Sequence, residues 1–191
     1  MSRLQKVISL IGMPGGGKSS IGKLLARRLV ADFADVDSAI ERSAGYTIAK
    51  LFEREGEAAF RRREADALRD LVSGGAAVVS TGGGVVLSAV NRELLRSQTI
   101  PVYLFASPAE LWRRVRKNSR RPLLQVDDPY ARLCELFEQR HRLYCEVATI
   151  VVETGRPPMR DVVDDIVAKL ERANIVSLDA ASDVDPSRAA P

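Results

Sequence analysis

Several groups of residues in this 191-residue chain have the types and spacing that phosphate chemistry requires. The first is Gly12-Met13-Pro14-Gly15-Gly16-Gly17-Lys18-Ser19, which fits the pattern G-x-x-x-x-G-K-[ST]. Glycines let consecutive backbone N–H groups turn inward around an anion, Lys18 adds a point charge at the β- and γ-phosphates, and the Ser19 hydroxyl is suited to Mg²⁺. The flanks agree with that use. Val7, Ile8, Leu10 and Ile11 form a β-branched-rich apolar run ahead of the loop, and Ile21, Leu24, Leu25 and Leu29 recur behind it at helical spacing. A strand, a glycine loop and a helix whose positive end faces the same point together make a phosphate cradle.

A second group is Phe33-Ala34-Asp35-Val36-Asp37. Strand alternation predicts both carboxylates on one side, where one supports a metal and the other orients or deprotonates an acceptor hydroxyl. The plainer alternative makes Asp37 the N-cap of a helix at Ser38. A third group is Thr81-Gly82-Gly83-Gly84, either a simple turn or a backbone that a ligand approaches closely. In the stretch from Glu57 to Val72, Glu64 falls inside the apolar stripe of Phe60, Ala67, Leu68 and Leu71, so it needs a partner; Arg61, three positions earlier, is placed to be it. Arg62 and Arg63 read as solvated. Arg140 likewise falls inside the stripe of Leu133, Leu136, Phe137, Leu143, Tyr144 and Val147. Two inward arginines are either structural ion pairs or a grip on a carboxylate-bearing substrate.

Between these lies the cationic run from Arg113 to Arg121, broken at Pro122. It reads as a lid that brings arginines over a transferred phosphate, with Asp128 as N-cap and Pro129 as first residue of the helix that ends it. Trp112 reads as core packing.

These residues need a scaffold that brings them to one rim. Strands are expected at Lys6–Ile11, ending near Asp35, at Ala76–Ser80, Ile100–Phe105 and Thr149–Val152. Helices are expected at Lys18–Val30, in the span Ser38–Ser73, at Ser88–Arg96, from Pro108, from Pro129 and near Met159–Ala173. Alternation of this kind implies an α/β fold, a parallel sheet covered by helices, with ligands bound beyond the carboxyl ends of the strands.

Composition narrows the function classes. Lys and Arg number 29 against 25 Asp and Glu, a net charge of +4. That excess is too small to argue for nucleic acid, and no strip interleaves basic and aromatic residues. No apolar stretch approaches a bilayer span and the N-terminus lacks an apolar signal segment, which predicts a cytoplasmic protein. Cys134 and Cys145 share a predicted helix at about 16 Å separation, too far for a disulfide. The single His141 reads as a surface or helix-packing residue. No exposed apolar stripe is left over, so a monomer is expected.

In their order and spacing, the phosphate loop, Phe33-x-Asp35-x-Asp37, Phe60-Arg61-x-x-Glu64, Thr81-Gly82-Gly83-Gly84, Arg121-Pro122-Leu123-Leu124 and Arg140 four residues before Tyr144 resemble the shikimate kinase family. That family is a branch of the nucleoside-monophosphate-kinase-like P-loop proteins. The resemblance runs from about Lys6 to Ala173. It implies a three-layer P-loop fold with a central parallel sheet of about five strands, a small substrate-binding helical insertion at about 35–64 and a lid at about 115–128. One domain would span 1–173, followed by a disordered tail at 174–191. The activity implied is transfer of the ATP γ-phosphoryl group to the 3-hydroxyl of shikimate, in the route to chorismate and the aromatic amino acids.

Roles follow residue by residue from the resemblance. Gly15, Gly16, Gly17, Lys18, Ser19 and Ser20 would hold the ATP phosphates, Ser19 and Asp35 the Mg²⁺, and Asp37 the acceptor hydroxyl as base or orienter. Arg61 and Arg140 would hold the shikimate carboxylate, Gly82, Gly83 and Gly84 the ring hydroxyls, and Arg121 the transferring group. Arg114 and the Pro157-Pro158 loop, with Pro158 the nearer candidate, would flank adenine. Arg142 departs from a family preference for proline. Two alternatives remain: a gluconate or nucleoside monophosphate kinase on the same fold, and a kinase-like module that binds without turnover. The loss of Lys18 or an acidic residue would signal the second, and all are present.

Overall fold

Residues of opposite parity in β1 (Val7–Ile11) enter different layers, as the period of a strand dictates: Ile8 and Leu10 join one core, Ile11 the other. The strand is covered on both faces, which is why its sequence is apolar almost throughout. It lies at the centre of a five-stranded sheet with β2 (Phe33–Asp35), β3 (Val78–Ser80), β4 (Thr99–Phe105) and β5 (Ile150–Glu153), in the order β2-β3-β1-β4-β5. Every pairing is parallel. The structure is a computed structural model and describes residues 6–75, 77–116 and 126–176.

Helices α1 (Lys18–Arg28) and α7 (Met159–Arg172) pack on one face through Ile21, Leu25, Val163, Ile166 and Leu170. The other face carries α2 (Val36–Ala44), α3 (Ile48–Ser73), α4 (Ala89–Gln98), α5 (Pro108–Val115) and α6 (Pro129–Val147), whose Ile40, Leu68, Leu95, Leu111 and Leu136 are buried together. The three-layer α/β arrangement expected from the sequence is what the chain adopts.

Local chemistry sets the element ends that matter for the site. Asp128 accepts from the Ala131 N–H at 2.9 Å with Pro129 at the first helical position, so α6 starts as its sequence predicts. The span from Ser38 to Ser73 is two helices, and α3 itself bends at Gly56, whose φ of 76° and ψ of 175° interrupt the helical path. Past the boundary expected at residue 173, Val176 is buried and Ile175 packs against the α1–α7 core. The remaining expected tail, 177–191, lies outside the described residues, as does the lid segment 117–125 with Arg121, Pro122, Leu123 and Leu124.

Candidate active site

The phosphate loop leaves β1 at the centre of the sheet and runs straight into α1. Gly17 is the N-cap of that helix, with φ of 88° and ψ of 10°, a conformation that favours glycine. Having no side chain, Gly17 leaves the N–H groups of the first turn open toward the loop, where an anion is best received. Lys18 is buried and its ammonium donates to the carbonyls of Gly12 at 2.9 Å and Met13 at 3.0 Å, which holds the charge across the mouth of the loop. Ser19 Oγ donates to Asp35 Oδ2 at 2.7 Å and lies 3.3 Å from Ser80 Oγ. The two residues expected to serve a metal thus touch each other.

Two readings of the acidic motif need correction. Strand β2 ends at Asp35 and α2 begins at Val36, so alternation along a strand does not place Asp37. Nor is Asp37 the cap: Asp35 fills that position, its Oδ1 accepting from the Ser38 N–H at 3.1 Å. Asp37 stands in the first turn of α2, half-buried, with Oδ1 inaccessible and unpartnered among the described residues. Burial, with Asp35 next, raises its pKa from 3.8 to about 6, against the opposing pull of Lys18.

Opposite stands the pair on α3. Glu64 is buried, as its place in the apolar stripe predicts, and Arg61 Nη1 donates to its Oε2 at 2.8 Å. Burial pushes the Glu64 carboxyl up in spite of that arginine. Arg61 also donates from Nε and Nη2 to Glu57 Oε1, at 3.3 and 3.0 Å. Arg140 on α6 is buried, and burial lowers its pKa, with Arg61 adding to the effect. Its Nη1 donates to the Gly83 carbonyl at 3.2 Å, and the Tyr144 hydroxyl donates to the same oxygen. Asp37 Oδ1, Glu64 Oε1 and Arg140 Nε are all buried without a protein partner among the described residues. Leaving one such group unpaired costs about 1–3 kcal/mol, and two of them, Asp37 Oδ1 and Glu64 Oε1, converge on Gly82 while Arg140 holds the carbonyl of the next residue.

The glycine run supplies the floor. Its glycines are required by packing and not by a left-handed backbone. A Cβ on Gly82 would lie 2.6 Å from Glu64 Oε1 and 3.1 Å from Asp37 Oδ1, one on Gly83 would lie 2.7 Å from the Pro14 ring, and one on Gly84 would overlap the Arg61 guanidinium. The same contacts place Pro14 of the phosphate loop against the acceptor ground, so the two regions share a wall.

Arg114 donates to the carbonyls of Thr154 and Gly155, which ties α5 to the loop leading to the exposed Pro157 and to Pro158, the N-cap of α7. Ser20 is exposed on α1. Trp112 packs against the core and His141 stacks on Phe137 at 4.9 Å while bonding the Tyr103 hydroxyl at 3.0 Å, so both are packing residues. Both cysteines are free. Arg121 lies outside the described residues.

Glu57, Ser80 and the Tyr144 hydroxyl were not foreseen. Glu57 is legible in hindsight as the i,i+4 partner of Arg61, whereas Ser80 and Tyr144 act through tertiary contacts that no spacing encodes. A capping box at Ser107 and Glu110 follows the S-x-x-E pattern and starts α5.

Comparison with known proteins agrees with this geometry. The shikimate kinase family profile matches residues 14–171. The shikimate kinase of Burkholderia pseudomallei is 45% identical over 170 residues, covering 89% of this chain and 92% of that protein. A solved shikimate kinase from Acinetobacter baumannii, in complex with shikimate, is 39% identical with a TM-score of 0.83, covering 90% of this chain and 96% of the other. A gluconokinase from Sinorhizobium meliloti, at 22% identity and a TM-score of 0.57 over 90% of this chain and 94% of its own, shares the fold alone. A cradle at the central strand facing two inward arginines and a raised carboxyl, with relatives alike over nearly their whole length, leaves one conclusion: the chain belongs to the shikimate kinase family.

Proposed function

We propose that this protein transfers the γ-phosphoryl group of ATP to the 3-hydroxyl of shikimate, giving shikimate 3-phosphate and ADP in the synthesis of chorismate and the aromatic amino acids. The observation that carries the reading is the ground opposite the cradle, where Asp37, Glu64, Arg61 and Arg140 surround Gly82–Gly84 and where Asp37 Oδ1, Glu64 Oε1 and Arg140 Nε have no partner among the described residues. Arg61 and Arg140 grip the acid's carboxylate, the glycine backbone meets its ring hydroxyls, and Asp37 holds the acceptor hydroxyl and takes its proton as the oxygen attacks phosphorus. A carboxyl with a pKa of about 6 is largely ionised at neutral pH and still basic enough for that proton.

Gly15, Gly16, Gly17, Lys18, Ser19 and Ser20 hold the phosphates, Arg121 covers the transferring group, and Arg114 and Pro158 flank adenine. Ser19 and Asp35 offer one hydroxyl and one carboxylate, hard oxygen donors that suit Mg²⁺ shared with phosphate oxygens. Bound there, the ion would neutralise charge on the phosphates. Phosphoryl transfer leaves the protein little covalent work, so the rate comes from positioning and charge. The reading includes a monomer in the cytoplasm that needs neither nucleic acid nor membrane. Among the described residues no helix is long and apolar enough to cross a membrane.

A coupled ADP-release assay with shikimate, gluconate and nucleoside monophosphates side by side tests the proposal. Turnover is expected with shikimate alone; equal or greater turnover with another acceptor would replace it.

A further inference from the structure

Every nitrogen of the Arg61 guanidinium donates to a carboxylate of this chain. Nη1 serves Glu64 at 2.8 Å, while Nε and Nη2 converge on Glu57 Oε1 at 3.3 and 3.0 Å. The two partners differ in what holds them. Glu64 has 1% of its side chain exposed and is fixed in the core, whereas Glu57 has 65% exposed and stands in the first turn after the Gly56 bend. The guanidinium fills the space that a Cβ on Gly84 would need, and its Cζ lies 5.1 Å from the centroid of the Phe60 ring.

A planar guanidinium recognises a carboxylate best through two parallel N–H groups, and of the two edges that offer such a pair the Nε and Nη2 edge is the one Glu57 occupies. An acid that takes Arg61 by this edge must move a carboxylate of the protein, and only Glu57 can swing into water at small cost. With Glu57 in place, the charge of Arg61 is also offset twice over before any substrate arrives.

Resting on the reading that the substrate is shikimate, we infer that Glu57 is an internal stand-in for the substrate carboxylate on Arg61, displaced when the acid binds, and that it sets the affinity and acid selectivity of this site. Glu57 is a positioning and specificity residue, since it acts through Arg61 and touches no reacting atom. It keeps the guanidinium aimed at Gly84 and sets a threshold that a ligand without a carboxylate does not cross by this edge.

The test compares the wild-type chain with Glu57→Gln, which keeps the size of the side chain and removes its charge. Titration calorimetry with shikimate and with its methyl ester is paired with initial-rate kinetics. Glu57→Gln is expected to tighten shikimate by about two- to five-fold, the range that release of one exposed ion pair supplies. KM for shikimate should fall in parallel, kcat and KM for ATP should hardly change, and the ester should bind both proteins alike. Unchanged or weaker shikimate binding overturns the inference, and so does equal tightening of the acid and the ester, which would mean a general loosening of α3. Absence of shikimate-dependent turnover in the wild-type chain is a separate outcome that removes the functional reading and this inference with it.

Discussion

The cradle at Gly12–Ser19 is one continuous stretch between β1 and α1, whereas the ground facing it is assembled from α2, α3, the turn after β3 and α6. In the first region polar groups are served at home: Lys18 lies on two loop carbonyls and Ser19 on Asp35. In the second, Asp37 Oδ1, Glu64 Oε1 and Arg140 Nε are buried and have no partner among the described residues. The difference separates two tasks. A triphosphate is recognised by backbone and charge that any such fold can supply, while a small acid must be recognised by side chains held, at a cost in stability, in wait for it.

That contrast can be broken most severely at Asp37. Asp37→Asn should lower kcat by about 10²–10⁴, the usual worth of a positioned acid or base, while ATP affinity measured by calorimetry stays near the wild-type value. Near-full turnover would remove Asp37 from the chemistry. Next in size, Arg61→Ala and Arg140→Ala should each raise the KM for shikimate about 10- to 100-fold, as loss of a charged hydrogen bond does, with far less effect on the KM for ATP. Equal effects on both substrates would dissolve the distinction between the two regions.

The pH profile sharpens it further. If Asp37 must be ionised, kcat/KM for shikimate should fall about tenfold per unit below pH 6, following the raised carboxyl, and the residual activity of Asp37→Asn should lack that limb. A smaller effect appears in stability, with a definite sign. Folding raises the Asp37 pKa from 3.8 to about 6, so its protonated form is favoured by the fold. Stability tied to this group is full below about pH 4 and is lost as pH rises toward 6, which makes the ionised side chain a liability at neutral pH. Asp37→Asn should therefore be more stable than wild type at pH 7 by on the order of 1–3 kcal/mol and no more stable near pH 3. Thermal melts at the two pH values check this, and a lower melting temperature for the variant at pH 7 would contradict it.

How far the sequence carries such an account differs between the same two regions. The cradle was readable outright, because a contiguous loop between a β-branched run and an amphipathic helix places its own residues. Glu64 and Arg140 were readable as inward-facing because each interrupts an apolar stripe, and both are buried in the structure. Strand alternation does not govern Asp37, because β2 stops at Asp35 and the first turn of α2 sets its direction. The glycine run reads from sequence as either a turn or a backbone open to a ligand, whereas in the fold a Cβ at any of the three would meet Glu64, Asp37, Pro14 or Arg61, contacts between elements far apart in the chain. The bend at Gly56 has no clear signal in the sequence, because a lone glycine in a helical pattern is compatible with an unbroken helix.

The most direct test of the division between cradle and acceptor ground is the identity of the product. Incubating the full chain with ATP, Mg²⁺ and shikimate and following the mixture by phosphorus NMR should give one new phosphate monoester, coupled to the proton on ring carbon 3, formed in step with ADP. Release of inorganic phosphate without that ester, or an ester at another hydroxyl, would contradict the placement of Asp37 at the acceptor oxygen and the carboxylate at Arg61 and Arg140.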